Sequence, residues 1–166
     1  MPAPYFQHSP ADVVRHLLVN LGVGVLPSLT GDWPIYEGSE PEQPDNAITL
    51  YDQKGLTYGR VQLTGTVVDK PGVLFRVRSW NALDGFNKAS EIARIIDETV
   101  TFDTLTIPVG YIPTGAIATY LVESITRIGT VHDIGKNAPA TPGSTSVSSK
   151  RNIFTLNAVV SLRQIS

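Results

Sequence analysis

Residues 151–163 read Arg151-Asn152-Ile153-Phe154-Thr155-Leu156-Asn157-Ala158-Val159-Val160-Ser161-Leu162-Arg163. On an extended chain Phe154, Leu156, Ala158, Val160 and Leu162 fall on one side. Thr155, Asn157, Ser161 and Arg163 fall on the other. A period of two sustained over that length marks a strand with one buried face. Residues 118–128 read as its partner. Leu121, Val122 and Ile125 make that segment apolar on both sides, as expected of a central strand or one half-covered by a neighbouring molecule. Between the two lie residues 129–151, with the run Asn137-Ala138-Pro139-Ala140-Thr141-Pro142-Gly143-Ser144-Thr145-Ser146 inside. Hairpin loops are mostly two to five residues long, so this segment reads as an extended arm. It carries few groups able to do chemistry, which suits docking better than the rim of an active site.

Working outward, residues 73–79 alternate in the same way. Val73, Phe75 and Val77 point inward, Arg76 and Arg78 outward. The two arginines either keep an edge soluble or pair with carboxylates of a neighbouring subunit. Further strands are expected at residues 33–37, 47–52 and 99–107. The polar connection over residues 53–72 has room for an irregular strand near 61–68. Ser9-Pro10-Ala11-Asp12 opens a helix, with Ser9 as N-cap, Pro10 in the first position and Asp12 at the positive end of the dipole. Val13, Val14, Leu17, Leu18 and Leu21 form its apolar stripe, and Gly22 and Gly24 stop it. Arg15, His16 and Asn20 fall outward or on its flank. A second helix spans residues 85–98. Its stripe is Phe86, Ala89, Ile92, Ala93 and Ile96, with Lys88, Glu91, Arg94 and Asp97 outside and Glu91 placed to pair with Arg94. The element order has no regular βαβ alternation and no internal repeat. It predicts an α+β fold in one domain over residues 1–166: a mainly antiparallel mixed sheet, two helices packed on one face, and a long arm between the last two strands.

At 166 residues the chain can bury about 70% of its unfolded surface without a metal or disulfide, and it has no cysteine. The opening Met1-Pro2-Ala3-Pro4-Tyr5 lacks the basic and apolar regions of a signal peptide. The most apolar stretch, residues 13–29, is interrupted by Arg15, His16, Asn20 and Pro27, so no membrane span is expected. Net charge is −2 but unevenly placed. Residues 1–53 hold one basic residue, Arg15, against seven acids, a net of −6. The remainder holds twelve basic and eight acidic residues, a net of +4. Either these are scattered solvated charges, or the acidic side of one molecule meets the basic side of an identical one. No basic groove for nucleic acid is apparent.

Chemistry is sparse. His8 and His16 are too far apart along the chain to form a natural metal pair. His132 and Asp133 are adjacent, so on an extended chain they point to opposite sides. There is no G-x-S-x-G and no H-E-x-x-H, and Gly22-Val23-Gly24 ends a helix rather than opening one on a phosphate. Glu40, Glu42 and Asp45 lack the spacing of a calcium loop. Trp33 and Trp80 read as core or interface anchors. No catalytic, cofactor or metal site is expected, although a small α/β enzyme or ligand-binding domain stays open as an alternative.

The order of features resembles the tail terminator proteins of long-tailed bacteriophages, also described as minor capsid or tail completion proteins. The resemblance rests on Trp33-Pro34-Ile35-Tyr36, on Pro44-Asp45-Asn46-Ala47-Ile48-Thr49-Leu50-Tyr51-Asp52, on Leu74-Phe75-Arg76-Val77-Arg78-Ser79, on Ala89 and Ile92, on Ser124-Ile125-Thr126-Arg127 with Gly135-Lys136-Asn137, and on Arg151-Asn152-Ile153-Phe154-Thr155-Leu156-Asn157. It covers most of the chain, departing in the Thr/Pro/Ser arm and over residues 53–72. It implies a non-enzymatic virion protein, assembled in the host cytoplasm and located at the tail–neck junction. Such a subunit forms a ring, a hexamer, that caps the tail tube, ends its polymerisation and meets a neck or head-completion protein. DNA passes through the lumen without specific binding, and no cofactor is used. A head-side neck protein, stopper or connector adaptor, is the alternative of the same class. On this reading Glu37, Glu40, Glu42 and Asp45 form an acidic surface toward a neighbouring subunit or the lumen. Arg76 and Arg78 are the matching basic surface, and Lys136, Lys150 and Arg151 place the arm on the tube or neck.

Overall fold

The computed structural model describes residues 6–60, 67–98, 101–108, 117–137 and 151–165. Helix α1 (Pro10–Asn20) is followed by strands β1 (Ile35–Glu37), β2 (Ala47–Arg60) and β3 (Val67–Ser79), helix α2 (Ala82–Glu98), and strands β4 (Thr101–Pro108), β5 (Ile117–Asn137) and β6 (Arg151–Gln164). The six strands form one mixed, strongly curled sheet in the order β1-β2-β3-β6-β5-β4. Only β1 and β2 run parallel; every other neighbouring pair is antiparallel. The fold is α+β, as the alternation predicts.

The core lies between the sheet and its two helices. Val73, Phe75 and Val77 of β3 stand opposite Ala158, Leu156 and Phe154 of β6, and all six are buried. Helix α1 covers β1 to β3, and α2 covers β3, β6 and β5. Ser9 caps α1 as expected: its Oγ accepts from the Asp12 N–H at 3.1 Å. At the other end Gly22, at φ 73°, turns the chain out while the Gly22 and Val23 N–H groups reach back to the Val19 and Leu18 carbonyls. The sheet's curl brings both of its edges to α1, which packs on β1 and β4 alike.

Five expectations need correction. Residues 129–137 are strand, not arm: β5 stays paired with β6 as far as Asn137 opposite Arg151, with register shifts after Ile128 and Asp133 absorbing irregular spacing. The rest of the arm, 138–150, lies outside the described residues, and Lys150 with it. Residues 53–60 and 67–72 likewise extend β2 and β3 into a bulged ribbon. α2 starts earlier than its apolar stripe, because Asn81 Oδ1 accepts from the Leu83 N–H at 2.9 Å and caps it. Phe86 is half exposed on the flank of α2, edge-on to Phe154 at 6.0 Å, and Gly85 takes the buried position instead. Along that helix Glu91 pairs with Lys88 at 2.6 Å and Arg94 with Glu98 at 3.4 Å, rather than with each other.

Candidate functional surface

The side of the sheet away from the helices holds most of the charged residues singled out in the sequence. Because β1 and β2 are parallel, the chain must cross back from the end of one to the start of the other. Residues 38–46 make that return across the helix-free face. Arg78 lies beneath them, only 5% exposed, between Ala47 and Ile153 in register. Its Nη1 donates to the Pro41 carbonyl at 2.6 Å and its Nη2 to the Pro44 carbonyl at 2.5 Å. Glu40 Oε1 is 3.4 Å from the same guanidinium, and Glu40 Oε2 is 3.2 Å from Arg76 Nε. The planar fork of arginine suits two carbonyls and a carboxylate at once. Burial lowers the Arg78 pKa, and Glu40 opposes that shift. The Tyr51 phenol is raised by burial and then by the Glu40 carboxylate. Thr49, fully buried beside Arg76 in register, leaves its Oγ1 without a partner among the described residues.

The expected basic face is therefore not open. Arg76 is partly covered and Arg78 is buried, because the acidic loop of the same chain folds over them. Asp45 is also taken within the chain: Arg151 Nε donates to its Oδ1 at 2.8 Å, with Nη2 at 2.7 Å. Glu37 Oε1 accepts from the Ser9 hydroxyl at 2.6 Å. Glu42 and Lys136 are exposed and make no ion pair among the described residues. The uneven charge of the sequence is thus partly neutralised inside one molecule.

Beside this covered face is a cleft of about 550 Å³ whose walls include Asp32, Trp33, Pro34, Pro44, Asp45 and Trp80. Asn46 fixes its floor: Asn46 Oδ1 accepts from Ser79 Oγ at 2.9 Å and from the Trp80 N–H at 3.1 Å. Asn152 Nδ2 holds the Trp80 carbonyl at 3.1 Å. Reading the sequence as isolated strands missed this cleft, since its walls come from three separate segments. The Pro-Asp-Asn run before β2 was the available signal of a built turn.

The histidines each have their own surroundings. His8 bonds to Tyr120, and His16 lies on the flank of α1, 3.7 Å from Asp12. His132 is exposed on β5, and Asp133 Oδ1 accepts from the Gly135 N–H at 2.7 Å instead of facing it. Among the described residues no three His, Asp or Glu side chains gather closely enough to hold a metal ion, and no helix is long and apolar enough to cross a membrane. A second, shallower groove of about 380 Å³ is bridged by Arg127, which binds Asp97 of α2 at 2.8 Å and the Gly129 carbonyl at 2.6 Å. Comparison with protein-family models and with curated proteins finds no match.

Proposed function

We propose that the protein is a structural subunit of a long-tailed phage particle. It assembles into a ring, six-membered as the resemblance implies, that caps the tail tube, ends its growth and joins the tail to the neck. The observation that carries this reading is the pair of long ribbons, β2–β3 and β5–β6. They remain paired out to Arg60 opposite Val67 and Asn137 opposite Arg151. Leu56, Ile128 and Ile134 are about half exposed on them. Apolar side chains held out on ordered ribbons gain burial once a neighbouring subunit covers them. Glu42 and Lys136 are then the charges left for a lumen, subunit, tube or neck contact, while Glu37, Glu40, Asp45, Arg76, Arg78 and Arg151 keep the subunit's own loops in place. In this role the protein catalyses nothing, and DNA passes through the ring unbound.

The test is to polymerise the tail tube protein of the same phage with and without this protein and to measure tube lengths and end caps by negative-stain electron microscopy. Shorter tubes with a ring at one end are expected. Unchanged lengths, with the protein bound instead to the head connector, would overturn the terminator role in favour of a head-side neck protein.

A further inference from the structure

We infer that the cleft between Trp33 and Trp80 receives Arg163 of a second copy, in a head-to-tail contact between subunits. The inference rests on the ring reading and deepens it, by naming one contact from which the ring is built.

The cleft has the chemistry of a seat for a planar cation. Both tryptophans of the chain line it, with Asp32 and Asp45 beside them, and its walls include no lysine or arginine among the described residues. Aromatic faces attract cations, tryptophan most strongly and arginine most often. Trp33 already has one, with Lys88 Nζ 5.5 Å from its ring centroid. Trp80 is the open wall. Its N–H donates to Asn46 Oδ1 and its carbonyl accepts from Asn152 Nδ2, yet the residue is 52% exposed. A ring fixed through its backbone has less freedom to lose when a side chain stacks on it. Of the two carboxylates, Asp45 gives only its Oδ1 to Arg151. Asp32 is exposed and makes no ion pair among the described residues. A guanidinium can lie flat on an indole and fork onto a carboxylate at the same time, which an ammonium cannot.

Exposure and loose pairing select the arginine. Arg15, Arg76, Arg78, Arg127 and Arg151 are largely covered and each is held by a carboxylate of its own chain. Arg94 and Arg163 are open, with side chains 64% and 65% exposed. Arg94 Nη1 donates to Glu98 at 3.4 Å, one turn along its helix. Arg163 stands 3.9 Å from Glu123 Oε1, while the other oxygen of that carboxylate accepts from the Ser161 hydroxyl at 2.8 Å. Arg163 is thus the more loosely held of the two.

Position then sets the partner. Arg151, fixed to Asp45 on the cleft wall, and Arg163 lie at opposite ends of β6. Their even spacing puts both on the helix-free face, and at the rise of a strand they are about 40 Å apart along it. A chain therefore cannot place its own Arg163 in its own cleft, and a second copy must supply it. A cleft at one end and a cation at the other make a heterologous contact, which repeats from subunit to subunit and closes a ring where the rotation allows. The acidic excess of residues 1–53, which include Asp32, then meets the basic excess of the remainder, which includes Arg163, between copies.

Charge reversal in trans tests the contact by sedimentation velocity at low salt over a concentration series. Asp32→Arg and Arg163→Asp each set like charges against one another and should weaken self-association about tenfold or more. Far-UV circular dichroism and urea midpoints should stay as in the wild type, because both side chains are exposed. Mixed in equal amounts, the two variants should associate again in alternation: the altered cleft of one meets the altered strand end of the other, and the remaining contacts are native. Trp80→Ala should also weaken association, whereas Arg94→Asp should not. Undiminished association of the single variants overturns the inference, and so does a mixture that stays apart, or a loss in Arg94→Asp in place of Arg163→Asp. A wild type that remains monomeric at every concentration overturns it too, and leaves the ring to be decided on the tail tube. Association restored in the mixture, with no effect of the wild type on tube length, would keep the contact and sink the terminator role.

Discussion

The Nδ1 of His8 lies 2.9 Å from the phenol oxygen of Tyr120, and the His8 backbone N–H donates to that same oxygen at 3.0 Å. The phenol therefore accepts from the backbone and gives its own proton to Nδ1. That leaves the proton of neutral His8 on Nε2, which stands 3.0 Å from the Pro108 carbonyl at the end of β4 and donates to it. The next residue, Ser9, binds Glu37 at the end of β1. Two adjacent residues at the entrance to α1 thus tie together the opposite edges of the sheet. Burial raises the Tyr120 pKa, so the phenol keeps its proton for this role. Tyr120→Phe should cost about 1–3 kcal/mol, the range for leaving partly buried polar groups unpaired. Hydrogen exchange at the His8 amide should speed up well beyond that of the β3 amides. Equal protection of the two in the variant would show that the phenol does not hold the strap.

Arg78 and Arg76 are neighbours on one face but should behave very differently. Arg78→Ala removes the donor from two carbonyls and a carboxylate under a covered loop, at a cost of about 2–4 kcal/mol. Arg76 is more open and holds Glu40 by a single contact, so Arg76→Ala should cost less than about 1 kcal/mol. Arg78→Lys should recover only part of the loss, because an ammonium cannot fork between the Pro41 and Pro44 carbonyls. Urea unfolding of the three variants separates these outcomes. Similar losses at both arginines would mean that the loop does not depend on the Arg78 fork.

These two sites mark how far the sequence could be read. The directions of Arg76 and Arg78 followed from a period of two, and the Ser9 cap from a local pattern, because both are settled within a few residues. That Glu40 and Asp45 would reach Arg76, Arg78 and Arg151 was hidden, since it depends on the parallel pairing of β1 with β2 and on β6 inserting between β3 and β5. Those pairings join segments as far as 106 residues apart. The ribbon ends were missed for another reason: β5 beyond Ile128 is irregular in register and largely exposed on both faces, so it carries no alternation to detect. Trp33 and Trp80 read as anchors, and nothing in their local sequence places them on one cleft.

Gly85 is a helix position where alanine should be worse. On propensity alone Gly→Ala inside a helix gains about 1 kcal/mol. Here a Cβ would stand 2.7 Å from Phe154 Cε2 and 2.9 Å from Ser79 Cβ. Phe154 is buried against α2 and has little room to move. Overpacking of this kind costs about 1–3 kcal/mol, so the net change in Gly85→Ala should be destabilising. The double variant Gly85→Ala with Phe154→Leu should be less impaired than the sum of the two single changes, since the smaller ring-free side chain relieves the contact. Additive losses by urea unfolding would rule out the Phe154 contact as the reason for glycine.

His16 should make stability fall in mild acid. Burial lowers its pKa most. Arg15 and His8 push it the same way, while Asp12 and Glu37 push it up without prevailing. The groups facing it come from its own helix, from the strap before it and from the end of β1. In the unfolded chain His16 titrates near its ordinary value of about 6.5. Below that pH the unfolded state takes up a proton that the folded state resists, so the unfolded state is favoured progressively. The stability present above about pH 6.5 is accordingly lost as pH falls through the lower folded value. His16→Gln removes the titration but leaves every carboxylate in place. Urea midpoints of wild type and His16→Gln should run parallel from pH 8 to 7, and the wild type should drop more steeply between pH 6.5 and 5. Parallel curves over the whole range would show that His16 takes up its proton as readily in the folded chain as in the unfolded one. Asp12→Asn sharpens the test: it removes the strongest influence holding the proton on His16, 3.7 Å away. The acid loss should then deepen in that variant, and its His16-linked part should disappear in the double variant with His16→Gln.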